Sequence, residues 1–151
     1  MTANVSFISL SSAVLSLTFL VGVHTDSSTL VPGDLVDISE ASLHTFPADF
    51  VLLSGDAIVN ESMLTGESVP VSKVPVEEDM VHLVSTAGGE IAPELSRHVV
   101  FSGTKIVRIR KTSPVGVGGG PPEALAMVMR TGFNTTKGAL VRSMLFPKPF
   151  G

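Results

Sequence analysis

The 151-residue chain contains no cysteine, no tryptophan and no tyrosine. Without thiols it has no disulfide framework, no cysteine nucleophile and no thiolate-held metal. That absence leaves the compartment open. Its aromatic residues are eight phenylalanines, poorly interleaved with the basic residues, which speaks against a nucleic-acid partner. Charge is sparse too: 16% of residues are charged and 44% are apolar, the composition of one folded domain rather than a disordered chain. The four histidines, His24, His44, His82 and His98, lack metal-ligand spacing and read as surface or satisfied core residues. No GxSxG, HExxH or P-loop pattern occurs.

The charges that are present are segregated. All fourteen acids except Glu123 fall in residues 26–94, where Lys73 is the one base. The other bases, from Arg97 to Lys148, follow. An acidic first part does not seek phosphate by bulk charge. The basic second part suits either plain solvation or a membrane surface, a phosphate or an acidic partner.

Residues 1–29 stand apart. Residues 5–23 include twelve apolar side chains diluted by Ser and Thr, close to a membrane span in length, but no Lys or Arg precedes them as a signal peptide would require. Three readings compete: a weak signal or anchor, a buried strand, or a start foreign to the folded domain.

From residue 30 the pattern is that of short strands. "PGD" at 32–34 is a turn before a strand over Leu35, Val36 and Ile38. The apolar run 50–53, the tight turn "SGD" and the run 57–59 give two more strands. "VPVSKVP" alternates between prolines and suits an edge strand. Residues 75–97 read as a polar surface loop. "VVFSGTKIVRIRK" is a strand pair or one strand bent at Gly103, and "TSPVGVGGGPPE" a linker. "EALAMVMRTG" fits helix and strand equally. A helix begins near Thr136, capped by Asn134 or Thr135, with Leu140, Val141, Met144 and Leu145 on one face and Pro147 as its stop.

The polar tetrapeptide Thr65-Gly66-Glu67-Ser68 lies between two predicted strands. In isolation it is a turn with glycine at positive φ. Held between strands, it is also a projected loop whose glycine admits a ligand close to the backbone, with a carboxylate able to orient or deprotonate water. Asn4, Asn60 and Asn134 open glycosylation sequons, which matter only in a secreted protein.

Taken in order, "LVPGD", "FPADFVLLSG", "VNESMLTGESVPV", "VFSGTK" and "VMRTGFNTTKGALVRSML" resemble the actuator domain of P-type ATPases. The closing segment is most similar to the type V family, B branch, of vacuolar and lysosomal cation or polyamine pumps. The resemblance implies a mainly β, distorted jelly-roll-like actuator domain with a C-terminal helix over residues 30–146. Residues 147–151 would lead toward a transmembrane helix, and 1–29 form an apolar lead that departs from the family pattern, read as an aberrant start or a weak membrane- or signal-like segment.

The resemblance also implies a mechanism. Glu67 would position water on an aspartyl phosphate carried by another domain, Thr65 and Gly66 would shape the loop, and Ser68 would hold its geometry. A carboxylate repels phosphate directly, yet with one water between them it can aim the attack. Partners would be the phosphorylation domain and transmembrane helices of the same pump, with no nucleic acid. ATP and Mg²⁺ would serve the intact pump, with no cofactor in this chain. The pump would sit in a vacuolar, late endosomal or lysosomal membrane with this domain on the cytosolic side. The phosphorylation motif DKTGT is absent, so the chain is expected to be inactive alone. A free-standing β binding or regulatory domain, and a secreted glycoprotein, are the alternatives.

Overall fold

The computed structural model describes residues 4–9, 21–39, 43–84, 90–112, 123–147 and 149. The short apolar runs form nine strands among these residues: β1 (Asn4–Ser9), β2 (Val21–Asp26), β3 (Leu35–Asp37), β4 (Asp49–Leu52), β5 (Asp56–Asn60), β6 (Pro70–Lys73), β7 (Val99–Val100), β8 (Lys105–Arg110) and β9 (Leu125–Arg130). Two α-helices, the single turn α1 (Ser62–Thr65) and α2 (Thr136–Leu145), and four short 3-10 turns complete the set among the described residues. The strands lie in two antiparallel sheets, ordered β2-β1-β3-β9-β4-β7 and β6-β5-β8. The chain is thus mainly β with a C-terminal helix.

β9 and β4 are neighbours inside the larger sheet, and the strand period of two sends their side chains to both of its faces. Phe50 and Leu52 of β4, with Ala126 and Val128 of β9, enter one core with Val36, Phe46, Ala57 and Val59. Val71, Ile106 and Ile109 of the smaller sheet close that core. Val51 and Met129 point the other way, into a second core with Leu95 and Val99. Every residue of β4 is therefore buried. The same demand settles the ambiguous run 125–130. Its Ala, Leu and Met favour helix by propensity, but a position between β3 and β4, buried on both faces, makes it a strand.

β4 and β5 are consecutive yet belong to different sheets. The turn between them is a crossover and not a hairpin, and it depends on Gly55. That residue has φ 76°, and a Cβ there would lie 2.7 Å from the Arg110 carbonyl oxygen and 2.9 Å from Ala124 Cβ. "VVFSGTKIVRIRK" likewise divides into β7 in one sheet and β8 in the other, on either side of Gly103. β6 is the edge strand that its prolines predict.

Residues 75–97 are more than a surface loop. Two 3-10 turns, Glu78–Leu83 and Pro93–Leu95, place Val76, Met80, Leu83 and Ile91 against the second core, and Leu95 is buried in it. Their apolar spacing is irregular, so no helical or strand period announces the role.

Two parts of the apolar lead are strands, β1 paired with β2 and with β3. Residues 10–20 and most of the linker "TSPVGVGGGPPE" lie outside the described residues. No helix among the described residues is long and apolar enough to cross a membrane. Thr135 caps α2 as expected, its hydroxyl accepting from the Gly138 N–H at 2.9 Å. The apolar face of that helix is exposed, with Met144 77% and Leu145 61% accessible.

Candidate functional site: the loop between β5 and β6

Residues 61–69 connect two antiparallel strands whose last pair is Asn60 with Pro70. The connection is ordered from its base upward. Asn60 Oδ1 accepts from the Ser62 N–H at 2.9 Å and starts α1. The Glu61 carbonyl then accepts from the N–H groups of Leu64 and Thr65, at 2.8 and 3.0 Å, and from Thr65 Oγ1 at 3.2 Å. Gly66 ends the turn in the left-handed conformation at φ 77°, with its N–H on the Ser62 carbonyl. That is the ordinary chemistry of a glycine C-cap. The Thr65 hydroxyl also accepts from the Glu67 N–H at 3.2 Å. Thr65 therefore ties the backbone of Glu67 to Glu61.

Glu61 is anchored in turn. Its carboxylate lies 2.6 Å from the Lys73 ammonium, with side-chain exposures of 11% and 3%. Lys73 Nζ donates to the Ser96 carbonyl at 2.7 Å and stands 5.0 Å from the centre of the Phe101 ring. One buried cation thus joins the base of the hairpin to the segment that covers the larger sheet. His98 reinforces this seam: its Nδ1–H donates to the Val74 carbonyl at 3.0 Å, and the Val74 N–H reaches Arg97.

The four residues singled out in the sequence, Thr65, Gly66, Glu67 and Ser68, are all exposed at the tip of this hairpin. Among the described residues the Glu67 carboxylate has no hydrogen-bond or ion-pair partner in the protein, and Ser68 makes no side-chain hydrogen bond. The arrangement presents one free carboxylate, carried by a backbone that is fixed and reaching outward. Such a group can accept a proton from, or aim, a water at a surface that meets it. No group of three or more His, Asp or Glu residues suited to a metal ion occurs among the described residues.

A second polar cluster escaped the sequence reading. Asp49 is fully buried. Its two oxygens accept from the Ser102 N–H at 2.8 Å and the Thr136 N–H at 3.0 Å, so that it holds the start of α2 against β4. Burial pushes its carboxyl above the ordinary value, opposed by those two hydrogen bonds and by Arg130. Arg130, its cross-strand partner, is 7% exposed. The available signal was a charge bordering each of two apolar runs, "ADFVLL" and "LAMVMR".

Comparison with known proteins follows the same lines. The family profile of the P-type ATPase actuator domain matches residues 21–145. The vacuolar cation-transporting ATPase YPK9 of Saccharomyces cerevisiae is 50% identical over 127 residues, 83% of this chain and 8% of that protein. The polyamine-transporting ATPase 13A3 of Mus musculus is 44% identical over 124 residues, 82% and 10% respectively. The cation-transporting ATPase catp-5 of Caenorhabditis elegans is 43% identical over 128 residues, 82% and 9%. The chain thus spans a tenth or less of the length of these relatives. With two antiparallel sheets, a glycine-capped exposed tip and a match across both, the chain belongs to the P-type ATPase actuator domain family.

Proposed function

We propose that the chain acts as the actuator domain of an ATP-driven cation or polyamine pump, and that its tip governs hydrolysis of an aspartyl phosphate on another domain of that pump. The observation that carries this reading is the free Glu67 carboxylate at the end of a hairpin braced by Thr65, Glu61 and Lys73. In the reaction a water oxygen forms a bond to phosphorus while the bond from phosphorus to the aspartyl oxygen breaks. The aspartate leaves as a carboxylate, and the water proton passes toward Glu67. Gly66 leaves the tip without side-chain bulk where it meets the phosphate, and Thr65 keeps Glu67 at a set reach. Placing this carboxylate on a separate domain couples hydrolysis to a movement, so that water reaches the reactive acyl phosphate only at the docked step.

ATP and Mg²⁺ belong in this reading to parts of the pump beyond this chain, as do the transported ion and the membrane helices. The vacuolar and polyamine-transporting names of the relatives favour a vacuolar or endolysosomal membrane and a cationic cargo. A graft tests the reading: residues 21–145 replace the corresponding segment of the yeast relative. The graft is expected to hydrolyse ATP, its Glu67→Gln form to lose steady-state turnover, and the isolated chain to show none. Turnover by the isolated chain, or full turnover by the substituted graft, would overturn it.

A further inference from the structure

We infer that the cleft between α1 and α2 is a docking site for an acidic side chain, set among apolar residues, of a protein partner. The cleft is open to solvent and measures about 830 Å³, a volume that admits several side chains together. Leu64, Ile91, Phe101, Phe133 and Leu140 give it apolar walls, and Arg130 stands among them.

Arg130 is the feature that calls for a partner. It is 7% exposed, and its Nε is fully buried without a hydrogen-bond acceptor. The two ion pairs among the described residues are Lys73–Glu61 and Arg110–Asp56, so no carboxylate among the described residues sits within pairing distance of its guanidinium. Asp49, across the strands, acts on its charge from beyond ion-pair distance while its oxygens accept from Ser102 and Thr136. A buried N–H left without an acceptor is costly, and an incoming carboxylate would supply one. The planar guanidinium fork matches a carboxylate with two parallel hydrogen bonds. Glu90 on the cleft wall opposes a second negative charge, which favours a carboxylate over a phosphate dianion. The apolar surface continues beyond the cleft over Phe133, Leu140, Met144 and Phe146, all exposed. That extent suits a protein segment better than a small acid. The inference holds independently of what Glu67 does.

Random peptides displayed on phage and panned against the 151-residue chain test it. Enriched peptides are expected to carry an Asp or Glu between apolar residues. Changing that acid to its amide should weaken binding at least about tenfold, and the acid form should shift the Arg130 Nε–H resonance of the unmodified chain. In Arg130→Gln the acid and amide peptides should bind alike. Four results would each overturn the proposal: no enrichment, enriched peptides without an acid, an amide form that binds equally well, or an unmoved resonance. Hexanoate binding as tightly as the peptides would instead mark a small-acid site and also overturn it.

Discussion

Asp49 joins three parts of the chain through one carboxylate: its own strand β4, the backbone at Ser102 and the first residue of α2. Its raised pKa has a defined consequence for stability. Between the ordinary value of 3.8 and the raised folded value, the folded state holds a proton that the unfolded state has lost. Stability from this group is therefore complete below 3.8 and declines as pH rises through the folded value. Urea unfolding of the parent chain and of Asp49→Asn, from below that pH to neutrality, should show the parent's advantage narrowing as pH rises. An advantage that widens would contradict the assignment. At this scale the sequence is uneven. Thr65, Gly66, Glu67 and Ser68 are legible because they are contiguous and polar between apolar runs. Asp49 and Arg130 are not, because their roles arise from a strand pairing between distant segments and from a helix cap supplied across the fold.

The hairpin β5–α1–β6 is the element on which the site depends, and the pair of Lys73 with Glu61 sets its base. Removing one partner of a buried pair strands a charge; removing both does not. Lys73→Met should therefore cost about 3–5 kcal/mol in chemical unfolding, while Lys73→Met with Glu61→Gln should recover most of that loss. If the double variant were as unstable as the single one, the pair would not be the anchor. The sequence showed both strands and the edge position of β6 through alternation and flanking prolines. It did not show the crossover at Gly55, since a Ser-Gly-Asp turn reads alike whether the next strand pairs back or joins another sheet. Nor did it choose between helix and strand for β9. There burial on both faces outweighs propensity, and periodicity cannot separate the two.

Across the whole molecule, two sheets share one core, and a second core on the far face of the larger sheet is closed by Val76, Met80, Leu83, Val84, Ile91 and Leu95. This body holds the tip hairpin outward at the smaller sheet and leaves α2 with an uncovered apolar face. Both features suit a domain that works by meeting other parts of a longer protein, in keeping with relatives at least about ten times its length. The order of motifs made the family legible from residue 30 onward; the match extends to residue 21, where β2 begins.

The rate of phosphoenzyme decay bears most directly on the central claim. In the yeast relative carrying residues 21–145 of this chain, the phosphoenzyme is labelled with radioactive ATP and chased with unlabelled ATP. Glu67→Gln should form phosphoenzyme to the same level as the unsubstituted graft and lose it on the order of a hundredfold more slowly. Decay at the unsubstituted rate would contradict the role assigned to Glu67.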